Sequence, residues 1–122
     1  ESLHNTLGHI ACITDKDFII AVAGGSKREY YEKSISADIE GIMEGKKPVM
    51  ANRSQNDRIY SIVSNGDDAG KYSSQVIVPI VSQGDPIGAI ILLSKETGTE
   101  MGESEIKVAE TAAGFLARQM EQ

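Results

Sequence analysis

The stretch Gln75-Val76-Ile77-Val78-Pro79-Ile80-Val81-Ser82-Gln83-Gly84-Asp85-Pro86-Ile87-Gly88-Ala89-Ile90-Ile91-Leu92-Leu93-Ser94 holds two apolar runs joined by a polar turn. The runs, Gln75 to Ser82 and Ile87 to Ser94, are rich in the β-branched residues that fit a pleated surface. Between them, Gln83-Gly84-Asp85-Pro86 places Gly and Pro where a chain reversal needs them. The pair reads as a hairpin. Both strands are apolar at successive positions, so both faces are expected to be buried. Such strands belong in the middle of a sheet that is covered on each side.

Working upstream, two more apolar runs, His9 to Thr14 and Phe18 to Ala23, flank the polar turn Asp15-Lys16-Asp17. They read as a second hairpin. Gly24-Gly25 ends it, and Ser26-Lys27-Arg28-Glu29 has the S-x-x-E spacing of a capping box, predicting a short helix through Tyr30 and Tyr31. Ile35, Ile39, Ile42 and Met43 recur on one helical stripe after Ser34 or Ser36. That helix is expected to end with Gly45 as a left-handed cap, Lys46-Lys47 beside its negative end, and Pro48 preventing continuation. Val49 to Tyr72 is the least regular part, with Ile59 to Val63 a candidate short strand.

Downstream, Glu103 to about Met120 reads as one helix of ~27 Å. Acidic Glu103 and Glu105 sit in its first turn and Arg118 near its end, as the helix dipole favours. Ile106, Ala109, Ala113, Leu116 and Met120 form one apolar stripe; Val108, Ala112 and Phe115 form another beside it. Two stripes are more than a helix needs to lie on a sheet. The second predicts a helix packed closely against it from another subunit. At the other end, Leu3 and Leu7 lie one turn apart and read as the tail of a helix entering from upstream. The fold class is α+β: a central antiparallel sheet, terminal helices on one face, inserted helices and loops on the other.

Composition bounds the function. Apolar residues make up 40% of 122, enough for one core without metal or disulfide staples. The net charge of -6 leaves no basic face for nucleic acid, so any DNA contact must come from another segment. One cysteine, Cys12, permits no internal disulfide and fits a reducing compartment. No apolar run approaches the ~20 residues of a membrane helix, so no membrane partner is expected. The first residue is Glu1, not Met, and the chain reads as a piece of something longer.

No catalytic constellation stands out. Cys12 lies mid-strand between Ala11 and Ile13 and reads as a core thiol. His4 and His9 lack the further ligands of a metal site. Gly24-Gly25-Ser26-Lys27 lacks the full phosphate-loop spacing and reads as a strand end followed by a helix cap. Asn65-Gly66-Asp67-Asp68 lacks the alternating oxygen ligands of a calcium loop. The four tyrosines, Tyr30, Tyr31, Tyr60 and Tyr72, cluster around the irregular middle and suit a pocket or the margin of a core equally.

Val78-Pro79-Ile80 followed by Gly84-Asp85-Pro86-Ile87-Gly88-Ala89-Ile90 resembles the closing hairpin of GAF domains. The run Val108 to Glu121 is similar to the C-terminus of AbrB-type sporulation transcription regulators of spore-forming Firmicutes. Ile20-Ala21-Val22, Ser26-Lys27 and Lys33-Ser34-Ile35-Ser36 resemble them in the same order, and the likeness is weakest from Lys46 to Ser73. The resemblance implies a DNA-binding domain of the AbrB type, a helical linker and a GAF domain. This chain would supply the last two parts: residues 1–8 the linker's end and 9–122 the GAF domain. It further implies control of forespore gene expression in the cytoplasm, by activation and repression. DNA would be met only through the missing N-terminal domain.

GAF domains elsewhere bind cyclic nucleotides, tetrapyrroles or branched-chain amino acids. Cys12 lacks the following His of a bilin site, and no cyclic-nucleotide motif is present, so no cofactor is assigned. An enzyme of the free methionine sulfoxide reductase type would need several cysteines. Two readings remain open. One is a sensor for an unidentified small-molecule effector, with a pocket between the sheet and the Ser34–Gly45 helix walled by Tyr30, Ile39, Met43, Val49, Asn52, Tyr60, Val76 and Val78. The other is a ligand-free module that assembles homodimers or tetramers through Leu3, Leu7, Val108, Ala112 and Phe115.

Overall fold

A computed structural model describes residues 9–25, 27–66 and 69–120. Five strands form one antiparallel sheet: β1 (Ile10–Thr14), β2 (Ile19–Ala23), β3 (Val49–Asn52), β4 (Ser74–Ser82) and β5 (Asp85–Ser94), in the order β2-β1-β5-β4-β3. Among the described residues three α-helices accompany it: α1 (Lys27–Tyr30), α2 (Ala37–Gly45) and α3 (Glu103–Met120).

The β4–β5 hairpin is flanked by strands on both edges, as its doubly apolar sequence predicts. Its turn is tighter than expected. Ser82 pairs with Asp85, leaving two loop residues, Gln83 and Gly84, both left-handed at φ 52° and 85°. This is the turn geometry whose twist matches the flanking strands, and Gly84 supplies it without strain. Asp85 and Pro86 therefore belong to β5. Pro86 sits opposite Val81, beside the irregularity between Ile80 and Val81, where a missing N–H costs least.

Side chains alternate across the sheet and build a core on each face. On one face Cys12, Ile19, Ile77 and Ile91 pack with Tyr30, Ile35, Ile39, Met43, Ile62 and Tyr72 from α1, α2 and the connecting segments. On the other, Val76, Val78, Ile80 and Ile90 pack with Met101 and with Ala109, Ala113 and Ala117 of α3. Alanine at these three contact positions lets the helix axis lie close to the strands.

Ser36 caps α2, accepting a hydrogen bond from the Ile39 N–H at 3.1 Å. The left-handed residue at its other end is Lys46, φ 60°, not Gly45. The Lys46 N–H reaches the carbonyls of Ile42 and Met43, so the cap falls one residue later, against Pro48. The irregular middle departs from expectation twice. Val49–Asn52 is a strand, a four-residue edge recruited by β4 and too short to show a period. Ile59 to Val63 is not a strand: Val63 makes one isolated bridge to Ile35, while Ile62 is buried as core. Among the described residues no helix is long and apolar enough to cross a membrane.

Candidate functional site

The eight residues expected to wall one pocket fall on both faces of the sheet. Tyr30, Ile39, Met43, Val49 and Tyr60 share the α2 face. Val76 and Val78 do not: they point at α3, while Ile77 between them points at α2. The correction is one of parity, since residues i and i+2 share a face and i+1 takes the other. Asn52 also belongs to the α3 side. Its side chain donates to the Met101 carbonyl at 2.9 Å and accepts from the Met101 N–H at 2.8 Å.

The α2 face is filled by the chain's own side chains. Tyr30 and Tyr72 are both fully buried, and their hydroxyls meet at 2.7 Å. Gln75, also buried, answers both backbone groups of Tyr60: its Nε2 donates to the carbonyl at 2.7 Å and its Oε1 accepts from the N–H at 2.9 Å. These contacts lock the irregular segment to the sheet where a ligand was expected. Two separate surface grooves take in one of the eight residues each: Met43 lies in a groove with Gly41, Glu44 and Pro86, and Val78 in one with Pro48 and Ala113.

The opposite face is open beside α3. A cleft of about 640 Å³ is lined by His9, Ala11, Ala23, Gly24, Leu92, Ser104, Glu105 and Val108. Its walls are mostly apolar and belong to β1, β2, β5 and the first turns of α3. Along the same helix Val108 is 65% exposed and Phe115 54%, with Ala112 half-buried between them. The structure thus keeps Val108, Ala112 and Phe115 on one flank, as the second stripe predicts. Leu3 and Leu7, expected to join them, lie outside the described residues. At the start of α3, Glu105 accepts from the Gly102 N–H at 2.8 Å, which is half of a capping box. That bond, above a smaller opposing desolvation, holds the Glu105 carboxyl below its ordinary range.

Other sequence candidates resolve as structure. Cys12 is fully buried, and desolvation, with a smaller push from the Glu29 charge, raises its thiol to about 12. Gly24 is left-handed at φ 78°, and a Cβ there would lie 2.5 Å from the His9 carbonyl oxygen, so the glycine serves a close backbone approach. Among the described residues no group of three His, Cys, Asp or Glu gathers around a metal-sized site. His4, Ser26, Asp67 and Asp68 lie outside the described residues. Sequence reasoning missed Gln75 and the pairing of Tyr72 with Tyr30, because partners 15 and 42 residues apart leave no local signal.

A five-stranded antiparallel sheet in this order, with one long helix on one face and short helices on the other, is the fold of a GAF domain. The GAF domain of an Acinetobacter phosphoenolpyruvate-protein phosphotransferase matches 94% of this chain and 75% of its own, at a TM-score of 0.69 and 15% identity. The cofactor-binding GAF domain of the nutrient sensor CodY from Clostridium difficile matches 98% and 80%, at 0.62 and 13%. The chain belongs to the family described as stage V sporulation protein T C-terminal, transcription factor, which it matches over residues 1–121. It is 44% identical over all 122 residues to stage V sporulation protein T of Bacillus subtilis (strain 168) and spans 65% of that relative's length.

Proposed function

We propose that this chain is the regulatory, oligomer-forming GAF domain of a sporulation transcription regulator that controls forespore gene expression from the cytoplasm, without enzymatic activity. Residues 9–122 are read as the domain; residues 1–8, where the linker's end is expected, lie outside the described residues. DNA would be contacted only through a preceding domain of the AbrB type, consistent with the net charge of -6 here.

The observation that carries the assembly role is the exposed flank of α3. Val108 and Phe115 leave large apolar surface in water beside an apolar half-sheet, and burying such a side chain contributes ~1.5–3 kcal/mol. A second copy offering the same flank would cover it symmetrically. Native mass spectrometry of the chain is expected to show a dimer or larger, and Val108→Glu with Phe115→Glu to yield monomer with unchanged circular dichroism. A wild-type chain that is monomeric at ~100 μM removes this role.

A sensing role has separate support. The CodY neighbour is a cofactor-binding domain of a nutrient sensor, and this domain has an open cleft beside α3, away from its filled α2 face. An effector would have to favour one arrangement of α3 over another to matter. The filled α2 face instead favours a ligand-free module. A non-protein mass retained in the native spectrum decides for sensing, and its absence together with no saturable metabolite binding decides for the ligand-free module.

A further inference from the structure

We propose that the polar cleft between the segment after β3 and the β5–α3 connection binds the oxyanion of a small molecule, phosphoryl or carboxylate, and that this is the effector site. The proposal rests on the sensing reading above and deepens it. The cleft, about 410 Å³, is lined by Arg53, Lys71 and Lys95 together with the hydroxyls of Ser54, Thr97 and Thr99, and among the described residues no carboxylate lines it. Three cations converge here in a chain whose net charge is -6. Among the described residues one carboxylate pairs with them: Glu29, 3.4 Å from Lys71 and 2.9 Å from Lys95. Three cations, set against Glu29 and the Glu100 carboxylate that Ser54 meets, leave an excess of positive charge in a concave site, the arrangement that concentrates small anions.

The cations are positioned rather than merely present. Arg53 donates through Nε to the Tyr72 carbonyl and through Nη2 to the Ala69 carbonyl, both at 2.9 Å. Neither acceptor is charged, so the guanidinium keeps its full charge while its plane is fixed. A fixed guanidinium fork with nearby hydroxyls is the donor set that oxyanions take. The site is also wired to α3. Ser54 donates to Glu100, and Asn52, next to Arg53, holds both backbone groups of Met101, two residues before α3 begins. A ligand bridging Arg53 and the Thr97–Thr99 loop would tighten or shift that connection. The helix it moves is the one carrying Val108 and Phe115.

The test is a two-dimensional amide NMR titration of the 15N-labelled chain with inorganic phosphate and, separately, with succinate, at constant ionic strength set by chloride. Saturable shifts at Arg53, Gly70, Lys71, Lys95 to Thr99 and Met101 are expected for at least one probe, and which probe gives them tells phosphoryl from carboxylate. Lys71→Gln with Lys95→Gln should weaken that binding at least tenfold. Arg53 is left intact because its two carbonyl bonds also hold the loop. Lys46→Gln with Lys47→Gln removes the same charge elsewhere and should leave binding unchanged. Equal weakening by both pairs overturns the site in favour of general charge attraction. Saturable shifts that map elsewhere, such as around Ala11, Leu92 and Val108, overturn the cleft but keep the sensing reading. No saturable response to either probe, with a bare polypeptide mass in the native spectrum, overturns both.

Discussion

Replacing Asn52 by Ala should cost this domain a large share of its stability although the residue touches neither helix α2 nor any cleft. Asn52 is 2% exposed at the end of β3. It makes two hydrogen bonds to Met101, one through each end of its amide, at 2.9 and 2.8 Å. Met101 is itself buried. Each bond contributes about 1 kcal/mol net, and the substitution leaves a buried N–H and a buried carbonyl without partners, which costs more than the bonds alone. The expected loss is ~2–4 kcal/mol, against a typical total of ~5–15. For a chain of this length that is a fall in melting temperature of roughly 8–16 °C. Urea unfolding followed by far-ultraviolet circular dichroism measures it, with the slope unchanged if only the native state is affected. Hydrogen exchange should show the Met101 amide and the first turn of α3 losing protection before the rest of the sheet. A loss below about 1 kcal/mol, with Met101 still protected, would refute the latch.

Three further outcomes follow from the core. At Gly88, a Cβ would lie 2.1 Å from the Thr14 carbonyl oxygen, so Gly88→Ala must push β1 away from β5; a loss of ~1–3 kcal/mol is expected in the same urea assay, and a neutral variant would refute the close approach. Cys12, with its thiol raised to about 12, should resist iodoacetamide at pH 8 in the native chain and react at once in urea. The sign of its pH dependence is fixed as well: the unfolded thiol ionises from about pH 9 while the folded one stays protonated, so this residue lowers stability as pH rises from about 9 to 12. Native labelling at the rate of a free thiol, or a Cys12→Ala variant with the same alkaline loss, would refute the buried assignment.

What the sequence made legible and what it hid follow one physical division. Gln75 to Ser94 and Glu103 to Met120 carry patterns longer than any local accident, so their strands, their hairpin and the exposed flank at Val108 and Phe115 could be read directly. Val49–Asn52 could not, because a four-residue edge strand owes its conformation to the free edge of β4. The same limit governs the pocket. Apolar residues at every position from Val76 to Val81 of β4 say that both faces are buried, but not which parity meets which helix. Val76 and Val78 were assigned to α2 on that incomplete information, and one tertiary fact reverses it: Gln75, one residue before Val76, turns to the α2 side and bonds Tyr60. Once Gln75 and Ile77 face α2, Val76 and Val78 must face α3. The clefts that remain open are bounded by residues far apart in sequence, Arg53 with Lys95 and Ala11 with Val108. The regulatory surfaces proposed for this domain therefore lie where long-range pairing puts them, and the residue that ties one cleft to α3 is Asn52, a position the sequence marked for a pocket and the structure uses as a latch.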